Sequence, residues 1–188
     1  MDPEGAARRR RGRWMLLGGV VATVGLLTAL FAFGLDRDPT AIGSVLVGRP
    51  APEFTLQTLD GSHTMSMASM RGQVVVVNFW SSWCAECRVE QPALSEAWSR
   101  FRDQGVVFVG IAFEDQIGPA TRFASAYGLR WPLLADPGSR TAVAFGLSGV
   151  PETYVIGPDG TIAMAFKRAV TYADLSRAIT RALPGSAA

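Results

Sequence analysis

The chain has 188 residues, 48% of them apolar, and a mean hydropathy of +0.20, which excludes a disordered or linker-dominated protein. Its net charge is +2, but five arginines crowd residues 1–13 beside Asp2 and Glu4, and from Asp36 onward 13 basic residues face 14 acidic ones. That near-neutral remainder lacks the basic footprint of a nucleic-acid binder, and one His with two Cys excludes a disulfide-stapled miniprotein and most zinc sites.

In chain order, Arg8, Arg9, Arg10, Arg11 and Arg13 precede Trp14–Leu35, a run of 22 residues without a charge. As a helix it would span about 33 Å, against a hydrocarbon core of about 30 Å. The arginines place residues 1–13 in the cytoplasm and everything from Asp36 outside, in the periplasm or at the cell exterior. A cleaved signal peptide is the competing reading; its apolar stretch is usually about 7 to 15 residues, and Ala32-Phe33-Gly34 is a weak cleavage site. An uncleaved anchor over residues 14–35 is therefore expected, followed by a tether over 36–49 and one compact domain over 50–188.

Within that domain, Phe54-Thr55-Leu56 and His63 to Met67, separated by Asp60-Gly61, signal a short hairpin. Val74 to Phe79 reads as a buried strand. Glu86 to Arg102 has helical spacing through Val89, Ala93, Leu94, Ala97 and Phe101, and Gly105 stops it. Val106 to Ala112 reads as a second buried strand. Pro119 to Tyr127 and Ser139 to Phe145 are helix candidates ended by Gly128 and Gly146. Pro151 to Ile156 and Thr161 to Phe166 flank the turn Gly157-Pro158-Asp159-Gly160, and Thr171 caps a final amphipathic helix to Ala182. This order predicts an α/β sandwich.

The chemistry concentrates at Trp83-Cys84-Ala85-Glu86-Cys87, between a buried strand and a helix start. A thiol at a helix N-terminus meets unpaired backbone N–H groups and the positive end of the dipole, which favour the attacking thiolate. Cys84 is thus the candidate nucleophile, and Cys87, one turn on, can resolve the mixed disulfide that Cys84 forms. A structural staple across so short a loop would remove little entropy, and a zinc site lacks ligands beyond His63, which reads as a solvated hairpin residue. Trp83 reads as a platform for substrate; Trp80, Trp98 and Trp131 read as packing.

Phe79-Trp80-Ser81-Ser82-Trp83-Cys84-Ala85-Glu86-Cys87 resembles the thioredoxin active-site signature, and Gly149-Val150-Pro151 before a strand resembles that family's cis-proline turn. Leu46 to Phe54, Cys87-Arg88-Val89-Glu90-Gln91-Pro92 and Gly149-Val150-Pro151-Glu152-Thr153 are similar to the membrane-anchored disulfide reductases of cytochrome c maturation, the DsbE, ResA and TlpA group. The resemblance implies a thioredoxin-like fold, with a central mixed sheet flanked by helices, an N-terminal hairpin extension and one transmembrane helix. It implies a protein-disulfide oxidoreductase, in the reducing direction, with no cofactor beyond the Cys84–Cys87 pair. Its partners would be protein disulfides such as those of apocytochrome c heme sites, and a membrane thiol protein that donates electrons.

By the same resemblance, a cis Pro151 would stack on the cysteine pair, the Val150 backbone would pair with an extended substrate, and Pro92 would kink the helix. Asn78 stands where thioredoxins carry a buried Asp, and Glu90 and Glu152 correspond to the acids of the anchored reductases. Such carboxylates near both thiols would raise the Cys87 pKa and shuttle its proton, although a solvated first-turn role for Glu90 is the alternative. Glu86 departs from the Pro or Thr common before the second Cys, and Ala112-Phe113-Glu114-Asp115 departs from the usual loop. Three other functions compete. An oxidant of exported proteins would run the reaction backwards. A copper chaperone would need wider cysteine spacing and a later His. A peroxidase is suggested by Pro50-Ala51-Pro52-Glu53-Phe54, but Ser81 replaces its expected Thr.

Overall fold

The computed structural model describes residues 44–185 and, before them, residues 18–20, 22–26 and 28. The chain divides into two compact units, Met1–Ile42 and Gly43–Ala188. In the first, the described residues are helical and exposed, and the Thr23 and Thr28 hydroxyls donate to the Gly19 and Val24 carbonyls one turn back, at 2.9 and 2.7 Å. Among the described residues no helix is long and apolar enough to cross a membrane. The basic segment 1–13, most of the expected anchor 14–35 and the junction 36–43 lie outside the described residues.

The second unit carries the sandwich. Strands β1 (Thr55–Gln57) and β2 (Thr64–Ser66) form the antiparallel hairpin, and β3 (Val75–Trp80), β4 (Val107–Ala112), β5 (Leu133–Ala135), β6 (Glu152–Ile156) and β7 (Ile162–Phe166) form the main sheet. Helices α1 (Ala85–Phe101), α2 (Ile117–Tyr127), α3 (Arg140–Ala144) and α4 (Tyr172–Ala182) connect and cover it. The sheet order is β5-β4-β3-β6-β7, with β3, β4 and β5 parallel and β6 and β7 antiparallel to their neighbours. A mixed sheet flanked by helices, with an added hairpin, is the thioredoxin-like architecture expected from the sequence.

All six residues of β3 are buried, because a central strand is covered on both faces. Alternation then separates two cores. Val75, Val77 and Phe79 pack with Tyr154, Ile156, Phe145 of the segment ending α3, and Phe54 and Met67 of the hairpin region. Val74, Val76 and Val155 pack on the other face against Leu94, Ala97 and Phe101 of α1 and Leu175 and Ile179 of α4. Trp80 continues that second face, where its ring stacks on Phe123 of α2 with centroids 4.9 Å apart. Beneath it Gly110 is required by close approach, since a Cβ there would lie 2.6 Å from Leu133 and 2.9 Å from the Trp80 indole nitrogen.

Three expectations change. The helix α1 does not bury Val89, which is 68% exposed; its inward face is Cys87, Glu90, Gln91, Leu94, Ala97 and Phe101. Both assignments satisfy a 3.6-residue period, but the face is set by Cys87, which must turn inward to reach Cys84. Strand β5 was not expected, because three residues between Pro132 and Asp136 are too few to show a period. Residues 44–49, read as tether, are bonded to the sheet: Gly48 N–H donates to the Ile162 carbonyl at 2.9 Å, Ile162 N–H donates to Arg49 at 2.9 Å, and Leu46 packs against the core. Pro92 lies inside α1, where it cannot donate to the Arg88 carbonyl.

Candidate active site

The parallel strands β3, β4 and β5 deliver their C-terminal ends to one edge, where an open α/β sheet presents its chemistry. The turn leaving β3 carries Ser81, Ser82, Trp83 and Cys84 into α1. Cys84 and Cys87 are joined as a disulfide with Cα atoms 5.3 Å apart. Cys84 is the N-cap of α1, and its Sγ accepts the Cys87 N–H at 3.0 Å, taking the place of the usual capping oxygen. The same N–H is positioned to stabilise a thiolate once the disulfide opens. Cys87 has no exposed surface, whereas Cys84 is 5% exposed, so only Cys84 can be reached from solvent.

The Val150–Pro151 peptide is cis, and the Val150 carbonyl oxygen lies 3.6 Å from Cys84 Sγ. In the disulfide this is a contact; in the dithiol the Cys84 S–H can donate to that carbonyl. Trp83 is 56% exposed beside the pair, and its indole N–H donates to the Glu114 carbonyl at 3.1 Å. Its face is therefore presented outward while its edge is tied down.

The loop Ala112 to Asp115, to which the sequence assigned no role, steadies the same turn. The Asp115 carboxylate accepts the Ser82 backbone N–H at 2.5 Å and the Ser82 hydroxyl at 2.9 Å, and the Ser81 hydroxyl donates to the Phe113 carbonyl. Glu114 between them adopts φ +45°, a left-handed conformation uncommon for a side-chain-bearing residue. The unusual loop Ala112 to Asp115 thus has a structural task, and its signal in the sequence was its acidic pair at a strand end.

The two expected acids are buried, each 1% exposed, and they share no hydrogen-bond partner. Glu90 lies on the α1 face of the sheet. Asn78 donates from Nδ2 to its Oε1 at 2.9 Å and to Thr153 Oγ1 at 3.0 Å, and Val170 N–H donates to its Oε2 at 3.1 Å. Burial nevertheless pushes the Glu90 carboxyl up to about 7, against the two hydrogen bonds that favour its charged form. The solvated first-turn role is excluded.

Glu152 shares its face with Tyr154, two residues on along β6 and on the opposite side from Thr153. Its carboxylate points at the segment before Pro151, where Ser148 and Tyr154 bond it. The two carboxylates are held on opposite faces of the sheet, because adjacent positions in a strand project to opposite faces and Glu90 is joined through Asn78 to the Thr153 side. Burial, and then Glu152, hold the Tyr154 phenol above its ordinary range. His63 is exposed in the hairpin, and Trp80 and Trp131 are buried, as packing requires.

The AhpC/TSA family matches residues 47–165, more than half of the chain. The DsbE thiol:disulfide interchange protein of Pseudomonas fluorescens biotype C is 34% identical over 152 residues, 80% of this chain and 82% of the relative. That of Allochromatium vinosum is 37% identical over 138 residues, 72% of this chain and 75% of the relative. Among solved structures, a DsbF homologue from Corynebacterium diphtheriae superposes with a TM-score of 0.66 at 29% identity, covering 77% of this chain and 96% of its own. A fold of this kind, a disulfide whose reachable sulfur caps a helix beside a cis-proline, and relatives named for thiol:disulfide interchange all describe one chemistry. The chain belongs to the AhpC/TSA family, as a thiol-disulfide oxidoreductase related to DsbE.

Proposed function

We propose that the chain is a membrane-tethered, extracytoplasmic reductase of protein disulfides, with apocytochrome c heme-site disulfides as substrates. The single observation that carries the disulfide-exchange chemistry is the asymmetry of the pair: Cys84 is reachable and caps α1, while Cys87 is sealed beneath it. In the dithiol, the Cys84 thiolate attacks one sulfur of the substrate disulfide. A mixed disulfide forms, and the other substrate sulfur leaves as a thiolate and takes a proton. Cys87 then loses its proton and attacks Cys84 Sγ, releasing the second substrate thiolate and leaving the Cys84–Cys87 disulfide. Two electrons have moved to substrate, and a membrane thiol protein must return them. Glu90, poised near neutral pH, is the group proposed to take the Cys87 proton. Val150 supplies the backbone edge along which an extended substrate pairs, and Trp83 the face on which it rests. No further cofactor is needed.

The direction is supported by the tether expected over residues 14–35, since outside the cytoplasm bulk chemistry oxidises thiols and a reductase must stay near its electron source. Equilibration with glutathione buffers should give a potential near thioredoxin's value of about −270 mV, and a value near about −120 mV would make the protein an oxidant instead. The location has its own test. A periplasm-active reporter fused after Ala188 should be active and a cytosol-active one silent; the reverse would overturn the orientation.

A further inference from the structure

Chain segment 145–150, between α3 and β6, delivers Val150 to Cys84, yet it contains Gly146, at φ +61°, and Gly149 and has no secondary structure of its own. The Phe145, Gly146 and Leu147 N–H groups donate back into α3 at 3.0 Å each, and the remaining donors that hold the segment, from Ser148, Tyr154 and Lys167, all converge on one side chain. Glu152 Oε1 accepts the Ser148 backbone N–H at 2.9 Å and the Ser148 hydroxyl at 2.5 Å. Glu152 Oε2 lies 2.6 Å from Tyr154 Oη, which is also 3.0 Å from the Phe145 carbonyl oxygen. Lys167 Nζ lies 3.7 Å from Glu152 Oε1 and donates to the Gly146 carbonyl at 3.4 Å. Lys167 is the sole lysine of the chain.

From this convergence we infer that Glu152 is a positioning residue, which clamps segment 145–150 and so sets the substrate-pairing edge at Val150, and that it is not a proton donor to the thiols. Both of its oxygens are committed to the segment or to Tyr154. Ser148 is two residues before Val150, so a loosened Ser148 frees the carbonyl that lies against Cys84 Sγ. A loop with two glycines has many conformations to lose, and the clamp removes them before substrate arrives. This role rests on the reading that substrate pairs with the Val150 backbone.

In Glu152→Gln the amide oxygen can still accept both Ser148 donors, and the amide N–H₂ can donate to Tyr154 Oη, whose own proton turns to the Phe145 carbonyl already 3.0 Å away. The clamp survives although the titratable group is gone. The full-length chain in detergent would be assayed for reduction of a synthetic peptide holding an intramolecular CxxCH disulfide, with hydroxyethyl disulfide as the small comparison substrate. Glu152→Gln should keep kcat/KM for the peptide within about threefold of wild type and keep both limbs of its pH profile. Ser148→Ala, which leaves the carboxylate in place, should lower kcat/KM for the peptide by roughly tenfold, mostly through KM, the scale of a lost hydrogen bond.

Glu152→Ala should lose at least as much, and Ser148→Ala keeps the test open should the alanine variant not fold. The inference is overturned if Glu152→Gln loses a limb of the pH profile or falls as far as Glu152→Ala, or if Ser148→Ala matches wild type. A wild-type protein that shows no preference for the peptide over hydroxyethyl disulfide would instead sink the substrate-edge reading, and the clamp's functional role with it.

Discussion

Replacing Cys84 by Ser should abolish disulfide exchange, with a loss on the order of a thousandfold or more, the scale seen when a covalent catalyst loses its nucleophile. Replacing Cys87 by Ser should instead arrest the reaction halfway. The physical basis is the difference in access: Cys84 has a small exposed face at the N-cap of α1, and Cys87 has none. Substrate can therefore meet only Cys84. Without Cys87 no internal thiol attacks the resulting mixed disulfide, which should accumulate as a covalent adduct on non-reducing gels. Cys84→Ser should give no adduct, because the buried Cys87 sulfur cannot reach an incoming disulfide. Equal trapping by the two variants would overturn the assigned roles.

The second large effect concerns Glu90 and pH. Its carboxyl is pushed up from 4.5 to about 7 in the folded chain, chiefly by burial. Between those values the folded protein holds a proton that the unfolded chain has released. Stability from this group is therefore fully present below about pH 4.5 and lost as the pH rises through about 7. The loss amounts to about 3 kcal/mol, from a shift of between two and three pH units. Denaturant titrations at pH 4.5 and 8 should show wild type weakening by that order, while Glu90→Gln should lack this slope. In the same variant the rate of mixed-disulfide resolution should lose its pH dependence near neutrality. If Glu90→Gln keeps the wild-type slope in both measurements, the carboxyl is neither titrating there nor serving Cys87.

These two predictions use residues that the sequence singled out, but for different reasons. Cys84 and Cys87 were legible because their chemistry is local: a two-residue spacing at a strand-to-helix junction already defines the capping sulfur, the neighbouring N–H groups and the partner one turn away. Most elements were legible for a similar reason. Six buried residues in β3, the Thr171 and Asp174 capping box of α4 and the Gly-Pro-Asp-Gly turn between β6 and β7 are encoded within a few residues of themselves. The hairpin before β3 likewise announced itself through Asp60-Gly61.

What only the tertiary structure decided were the questions of facing and partnership. The period along α1 fits an inward Val89 nearly as well as an inward Glu90; the disulfide chooses, and a carboxyl enters the interior where Asn78 and Val170 await it. Glu90 and Glu152 both flank the active-site motifs in the chain, and only β6 decides that Glu152 takes one face of the sheet while Thr153, joined through Asn78 to Glu90, takes the other. Asp115 became a support for the Cys84 turn only because β4 runs parallel to β3 and ends beside it. The sequence by itself determined the fold class and the two reacting sulfurs, since helical and strand periodicity and a helix-capping thiol are short-range properties. The assignments of Glu90 and Asp115 depended on contacts with Val170 and Ser82, 80 and 33 positions away, and that of Glu152 on which face of β6 it takes, none of which appears until the sheet brings those segments together and gives each face its own neighbours.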